Sequence, residues 1–383
     1  MVPESGLTEQ PVPEPPRPVP DPAQPVPEPT WAWNPQQPYP QQPHPAQYPA
    51  PHQYPPGFQP GPDQVFWPAV PVKPAALPVV PREYHEFFRA PRFRWWRPLL
   101  GLAMFVAVWF ISTLVVTVAA LGYDALTGRT SPGDLATPDD VIMTPALFTA
   151  NNIGLGLAIP IAGLTAWAVF GQRPRWMSSI FGGFRWGLFW RFSLVAAGIF
   201  LAGLAVSFVI GGEGDSELRW NADSAFLIAA ILLTTPFQAA GEEYGVRGFL
   251  ARSIGSWFGA RRVGFVVATV ITSVVFMMLH AADNIWLNIY YFSVGVVCSV
   301  LVWRTGGLEA AVALHVFNNL ISEITLPFVP LDDVFARGPN DAGPDVLVQL
   351  VFTVSVMAVM LWIAKRQGVT SAAAPGSQPV AGP

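Results

Sequence analysis

Four polar side chains suited to hydrolytic chemistry lie inside otherwise apolar segments of the sequence. They are Glu242, His280, His315 and Asn319. Placing an ionisable group at the centre of a bilayer costs roughly 2.5–3.5 kcal/mol. Residues of this kind in such segments therefore need either a polar partner or a chemical role.

Two neighbouring carboxylates in residues 241–248 differ in their expected partners. Glu243 and Arg247 are four residues apart, so on a helix they share a face and can form an ion pair. Glu242 projects about 100° away and has no partner at helical spacing. We therefore expect Glu243 and Arg247 to support the site, and Glu242 to provide the carboxylate that does chemistry.

His315 and Asn319 are also four residues apart, which places an imidazole and a carboxamide on one face of a helix. Both side chains can donate hydrogen bonds to a developing oxyanion. With His280, they would provide a base, a second proton-handling group and an oxyanion site, as water-mediated amide hydrolysis requires without a Ser or Cys nucleophile. Two other interpretations stay open. The polar residues could join helices by hydrogen bonds, or they could form a proton or ion pathway.

The elements that would position these residues are membrane-spanning helices. The chain has 383 residues, of which 51% are hydrophobic and 12% are charged. Because the apolar residues form runs of about twenty, the sequence predicts an all-α fold, a polytopic integral membrane bundle of about eight transmembrane helices. The apolar segments lie near residues 99–121, 144–170, 187–210, 225–250, 263–280, 286–303, 307–326 and 346–364.

The loops between these segments alternate in charge, as the positive-inside rule requires. Arginine and lysine collect on the side of the N-terminal tail, and aspartate and glutamate collect on the other side. The pattern predicts a multi-pass protein of the cell membrane with both termini in the cytoplasm. The net charge of −4 gives no reason to expect a nucleic acid as a partner. The single cysteine, Cys298, lies in an apolar run and is expected to be a small buried side chain.

Both ends of the chain are predicted to be disordered. Residues 1–91 contain 28 of the 42 prolines, and proline removes amide donors and favours an extended chain. A basic and aromatic stretch, residues 89–97, is typical of an interfacial anchor. We predict a disordered cytoplasmic tail with this anchor over 1–95, a transmembrane domain over 96–366, and a disordered tail over 367–383. The proline-rich tail would serve as a tether or recruit a partner through polyproline recognition.

Three motifs in these segments resemble those of the CPBP membrane endopeptidases. That family includes type II CAAX prenyl proteases and bacteriocin-processing or immunity proteins. The motifs are E-E-x-x-x-R at residues 242–247, F-x-x-x-H at 276–280 and H-x-x-x-N at 315–319. The resemblance covers roughly residues 225–325. One departure is Gly245-Val246, where the family usually carries bulkier residues and where the helix is expected to be looser.

The resemblance implies that Glu242 and His280 activate water, while His315 and Asn319 stabilise the oxyanion. The second glutamate and the arginine of the first motif would support the site. We therefore predict an endopeptidase that cleaves a membrane-associated protein or peptide in the lipid bilayer. The alternatives are a non-catalytic membrane immunity or scaffold protein and a proton-coupled transporter.

No cofactor is required on the favoured interpretation, but zinc is a second option. Glu242, His280 and His315 could provide three ligands and leave an open position, as catalytic zinc sites do. The sequence lacks the H-E-x-x-H helix of many zinc proteases. The favoured chemistry is therefore water activated by glutamate and histidine.

The depth of His280 in the membrane is a test of this site. At about 1.5 Å of rise per residue, Glu242 and His315 lie at similar depths. His280 lies roughly 27 Å from Arg262, nearer the outer surface if its helix is straight and upright. We therefore expect this helix to tilt or to begin deep in the membrane. A distance above about 10 Å between the functional ends of Glu242 and His280 would exclude a shared site.

Overall fold

Helices account for nearly all the secondary structure in the computed structural model of the chain. The structure describes residues 74–130, 143–211, 218–329, 331 and 338–377. The predictions for residues 1–73, which include most of the proline-rich tail, lie outside these described residues. The helices are α1 (Arg97–Leu126), α2 (Pro145–Gly156), α3 (Ala158–Phe170), α4 (Arg175–Ser178), α5 (Trp186–Gly211), α6 (Ser224–Glu243), α7 (Ala251–Gly255), α8 (Arg261–Leu279), α9 (Ile285–Thr305), α10 (Glu309–Ser322) and α11 (Val346–Arg366).

Seven helical stretches in the described part of the chain are long and apolar enough to cross a membrane. They are α1, α2 with α3, α5, α6 with its continuation to Gly255, α8, α9 and α11. The prediction of an all-α polytopic membrane protein is therefore confirmed.

The predicted segment 307–326 differs from the other spans because it forms the shorter helix α10. At about 1.5 Å per residue, its 14 residues extend roughly 21 Å, less than the hydrocarbon core of about 30 Å. Every residue from Glu309 to Val316 is buried, and α10 packs against α5, α6, α9 and α11. The seventh predicted span is thus a short central helix enclosed by four others. Its polar side chains consequently face other helices.

The segment preceding α1 is folded, which corrects the prediction of a disordered tail up to residue 95. It contains strand β1 (Arg82–Glu83) and a 3₁₀ turn (Tyr84–Glu86). Phe87 and Phe88 are at most 1% exposed, and the Phe88 ring stacks on that of Phe170 in α3 at 3.9 Å between centroids. Burial of an aromatic side chain contributes about 1.5–3 kcal/mol, which offsets part of the entropy lost on ordering the segment.

The predicted C-terminal tail is likewise ordered up to residue 377. Ala372–Ala373 form β2, which pairs antiparallel with β1, Arg82 opposite Ala373. The two ends of the described chain therefore lie on one side of the helical bundle. The assignment of that side to the cytoplasm stays a prediction.

The second predicted span is broken at Leu157, between α2 and α3. Pro160 has no N–H to bond the carbonyl of Gly156, which weakens the helix at this point. α6 crosses here so closely that a Cβ on Gly241 would lie 2.7 Å from the carbonyl carbon of Leu155. Only glycine permits this approach, and Gly241 immediately precedes Glu242.

Candidate active site

Three pairs of polar side chains connect α6 with α10, and we call them the α6–α10 ladder. From one end to the other the pairs are Glu242 Oε2 with His315 Nε2 at 3.8 Å, Asn319 Nδ2 with Gln238 Oε1 at 3.0 Å, and Thr235 Oγ1 with Glu323 Oε2 at 2.7 Å. Asn319 and Thr235 donate the second and third contacts. The ladder brings three of the four predicted catalytic residues together.

The spacing of the polar residues on each helix explains the ladder. On α10 and its C-cap, His315, Asn319 and Glu323 follow one another every four residues and form one stripe. On α6, Thr235 and Gln238 precede Glu242 by seven and four residues, which places them on one face. The residue numbers increase in opposite directions along the ladder, so the two helices run antiparallel.

His315 is held by a buried ion pair behind the ladder. Its Nδ1 lies 2.9 Å from Glu243 Oε1, and Arg247 Nη1 donates to that same oxygen at 2.9 Å. Glu243 and Arg247 are both buried, so the predicted pairing of these two residues is present. Because a carboxylate accepts hydrogen bonds, Nδ1 of His315 carries a proton and Nε2 faces Glu242.

Glu242 is more accessible than its neighbour, since 13% of its side chain is exposed against 0% for Glu243. The expectation that Glu242 has no partner at helical spacing is wrong. Gln238, four residues earlier, donates its Nε2 to Glu242 Oε1. This partner is neutral, so the charge of Glu242 is oriented but not cancelled, and the Gln238 amide joins Glu242 to Asn319.

The helix widens directly after the two glutamates. Tyr244–Leu250 form a π-helix, followed by α7. π-helical turns are rare and are frequent at functional sites. Gly245 and Gly248 lie in this stretch, and glycine stabilises a regular α-helix less than other residues do. The looser helix expected at Gly245-Val246 is therefore present.

His280 follows α8 as its C-cap residue. Its Nδ1 donates to the Phe276 carbonyl at 2.7 Å, and its ring stacks on Tyr291 of α9 at 3.8 Å between centroids. The Phe276 ring lies 4.7 Å from the His280 ring and 5.7 Å from the His315 ring, centroid to centroid. One phenyl ring thus contacts both imidazoles, which brings His280 to the edge of the ladder. That its functional end lies within about 10 Å of Glu242 stays a prediction.

The alternative zinc site needs Glu242, His280 and His315 to converge. In the described part of the chain, one group of three His, Cys, Asp or Glu side chains has ligand atoms that all lie within 4.8 Å of one another, and it is a different group. The Nδ1 of His315 is held by Glu243, which leaves Nε2 as its ligand atom. Zinc binding by Glu242, His280 and His315 therefore stays a prediction.

Supporting residues from other helices escaped the sequence reasoning. Asn318 Nδ2 donates to Asn319 Oδ1 at 3.1 Å, while Tyr290 of α9 and Gln349 of α11 donate to Asn318 Oδ1. Asn319 is thereby fixed from three helices. Polar residues four apart, such as Gln238 before Glu242 and Glu323 after Asn319, were the available signal in the sequence.

Comparison with known proteins places this site in a recognised family segment. Residues 224–321 match the model of the type II CAAX prenyl endopeptidase Rce1-like family. The chain is also 30% identical over 122 residues to the uncharacterized protein YyaK of Bacillus subtilis (strain 168). That alignment covers 30% of this chain and 40% of the length of YyaK. No solved structure matches the chain. The family resemblance drawn from the three motifs is thereby confirmed over residues 224–321, which contain all six predicted site residues.

Proposed function

We propose that this chain is an intramembrane endopeptidase that hydrolyses peptide bonds of a membrane-associated protein or peptide with water activated by Glu242. The observation that carries the proposal is the contact of Glu242 with Nε2 of His315, whose other nitrogen is held by Glu243. The 3.8 Å between Glu242 Oε2 and His315 Nε2 exceeds a direct hydrogen bond. Both atoms can therefore engage the same water or substrate oxygen.

The reaction begins with transfer of a proton from water to the carboxylate of Glu242. The hydroxide that forms attacks the carbonyl carbon of the scissile bond, and the carbonyl oxygen becomes an oxyanion. Glu242 then returns the proton to the leaving amine, which breaks the carbon–nitrogen bond. Acid–base assistance of this kind accelerates a reaction by about 10²–10⁴-fold. The contact with Gln238 keeps the carboxylate aimed at the water.

The oxyanion is stabilised by donors on the α10 side of the ladder. A protonated His315 donates from Nε2, and Asn319 has a second Nδ2 hydrogen besides the one given to Gln238. With His315 protonated, the charges of Glu242, Glu243, Arg247 and His315 cancel. This neutrality lowers the cost of holding four charges among buried helices. Loss of one such oxyanion donor typically lowers kcat by about 10²–10³-fold.

His280 is assigned to assist Glu242 in taking the proton from water and passing it to the leaving amine. Donation from Nδ1 to the Phe276 carbonyl makes Nε2 the nitrogen that accepts and returns a proton. Stacking on Tyr291 fixes the plane of the ring. No metal or other cofactor enters this scheme, because Glu242 and the two histidines provide the base and the donors.

A comparison of membrane peptides from cells that express wild type or Glu242→Gln tests the activity. Asp345→Asn is a matched control because Asp345 is an exposed carboxylate outside the ladder. We expect cleavage products with the wild type and the control, and none with Glu242→Gln at equal protein level. Identical peptide profiles for all three proteins would overturn the assignment and favour a non-catalytic scaffold.

The substrate class is tested with synthetic peptides. The protein, purified and placed in lipid nanodiscs, would be given one C-terminal CAAX peptide with and without a farnesyl group. Because the ladder lies among membrane helices, we expect the lipidated peptide to be cleaved faster. Equal rates would contradict a substrate held by the bilayer.

A further inference from the structure

A second cluster of polar side chains lies in the folded segment before α1, remote in sequence from the ladder. It consists of Glu83, His85 and Glu86, each at most 9% exposed. One ligand atom from each lies within 4.8 Å of the others. Two carboxylates and an imidazole gathered in four consecutive residues are a donor set that zinc binds.

The histidine of this cluster is oriented as a metal ligand is. His85 Nε2 lies 3.1 Å from the backbone carbonyl of Arg261 at the start of α8. A carbonyl only accepts hydrogen bonds, so Nε2 carries the proton and Nδ1 presents a lone pair. Metal-binding histidines usually donate their other ring nitrogen to a carbonyl or carboxylate in this way.

The Nδ1 atom of His85 is buried and has no hydrogen-bond partner in the described part of the chain. The carboxylate oxygen Glu83 Oε2 lies 3.9 Å from it. A lone pair and a carboxylate that face each other away from water repel unless a cation lies between them. His85 therefore points into the cluster as an unsatisfied acceptor.

Two arginines already touch the carboxylates. Arg82 donates to Glu86 Oε1 at 3.1 Å, and Arg261 lies 3.3 Å from Glu86 Oε2 and 3.7 Å from Glu83 Oε1. Trp303 Nε1 also donates to Glu83 Oε2 at 2.9 Å, and the backbone N–H of Glu83 donates to Glu86 Oε2 at 3.3 Å. Glu83 Oε1 and Glu86 Oε1 each contact one arginine and keep a lone pair for a metal ion. The Arg261 side chain is 46% exposed and can move into water. Arg261 is thus a competing cation that a metal ion would displace.

We propose that Glu83, His85 and Glu86 form a zinc-binding site that fastens the segment before α1 to the start of α8. Tetrahedral zinc holds nitrogen and oxygen ligands at about 2.0–2.2 Å, so the three side chains would move inward by about 1 Å. A water would complete the four ligands, as it does in zinc sites with three protein ligands. The site is separate from Glu242 and takes no part in the proposed hydrolysis.

The test is zinc binding by the full-length protein in detergent micelles. Each protein would be incubated with zinc chloride, desalted and analysed for bound metal, and a chromophoric chelator would give relative affinities. We expect about one equivalent on the wild type and on Glu242→Gln. His85→Gln and Glu86→Gln should each weaken binding at least 10-fold, and thermal unfolding would verify that these variants are folded.

Arg261→Gln should change the affinity for zinc in the opposite direction. It removes the competing guanidinium but keeps the backbone carbonyl that orients His85, so we expect it to bind zinc more tightly than the wild type. If the two carboxylates only form ion pairs with the arginines, no variant will bind zinc. That result would overturn the proposal. Zinc lost from Glu242→Gln but retained by His85→Gln would also overturn it, because the ion would then occupy the ladder.

Discussion

Replacing Gly241 with alanine tests whether the close crossing of α6 positions Glu242. The added Cβ would lie 2.7 Å from the Leu155 carbonyl carbon and 2.9 Å from Gly156 Cα, and closer still to the Leu155 carbonyl oxygen. Ordinary carbon contacts begin at about 3.5 Å, so the helices must separate by nearly 1 Å or more. All three obstacles are backbone atoms, which cannot rotate away as a side chain does.

This separation has two measurable consequences. Overpacking of this size costs about 1–3 kcal/mol, which should lower Tm in a thermal unfolding assay. A displacement of about 1 Å at the adjacent Glu242 should lower kcat for peptide cleavage about 10²-fold. Both effects arise from one methyl group that contacts no substrate.

Gly198→Ala is the matched control, because a Cβ on this α5 glycine would meet nothing within 4 Å. It should leave cleavage unchanged and raise stability slightly, since alanine favours a helix by about 0.5–1 kcal/mol over glycine. If Gly241→Ala behaved like Gly198→Ala in both assays, the reasoning that the crossing positions the carboxylate would be refuted.

Three further substitutions probe the charges and hydrogen bonds of the bundle. Glu243→Gln leaves a buried guanidinium without its counter-charge and should destabilise the protein by about 3–5 kcal/mol in chemical unfolding, whereas an unchanged midpoint would contradict the ion pair. Gln238→Leu frees the Glu242 carboxylate and should lower kcat about 10²-fold with little change in Tm; an unaffected kcat would exclude this positioning role. Hydrogen bonds from Arg129 lower the pKa of the partly exposed Asp223, so this pair stabilises the fold above the ordinary aspartate pKa and loses its effect as pH falls through the lowered value. The small Tm difference between wild type and Asp223→Asn should therefore shrink in acid, and a difference that grows in acid would contradict the pairing.

The ion pair behind the ladder could be predicted from the sequence. Residues four apart on one helix fixed the Glu243–Arg247 pair, because helical spacing alone places them together. The same rule could have found Gln238 as the partner of Glu242. Gln238 is neutral, whereas the expected partners of a carboxylate in an apolar segment were charged residues.

The packing of α6 against α10 could not be predicted from the sequence, since helical periodicity does not specify which helices are neighbours. The contacts of Glu242 with His315 and of Thr235 with Glu323 depend on that neighbour choice. The length of α10 was also overestimated, because the apolar run continues past Ser322 into a 3₁₀ turn (Leu326–Phe328). Hydropathy reports burial in lipid and burial in protein alike.

The boundary of the N-terminal tail was placed too late for a compositional reason. Proline frequency dominated the prediction over the first ninety or so residues, as it does for extended chains. Tyr84, Phe87 and Phe88 carry the opposite signal, since three large aromatic side chains within five residues favour burial in a core. These aromatic residues indicate that the folded domain begins before the predicted boundary at residue 96.

The central claim is that Glu242 and His315 act together in one hydrolytic site, Glu242 on the water and His315 on the oxyanion, and a double-mutant cycle tests it most directly. The rate of peptide cleavage would be measured in nanodiscs for wild type, Glu242→Gln, His315→Gln and the double variant. Groups that act together give non-additive losses. We expect each single variant to lose about 10³-fold or more, and the double variant to be no slower than the slower single variant. Losses that multiply in the double variant, or a Glu242→Gln protein that cleaves at the wild-type rate, would contradict the account.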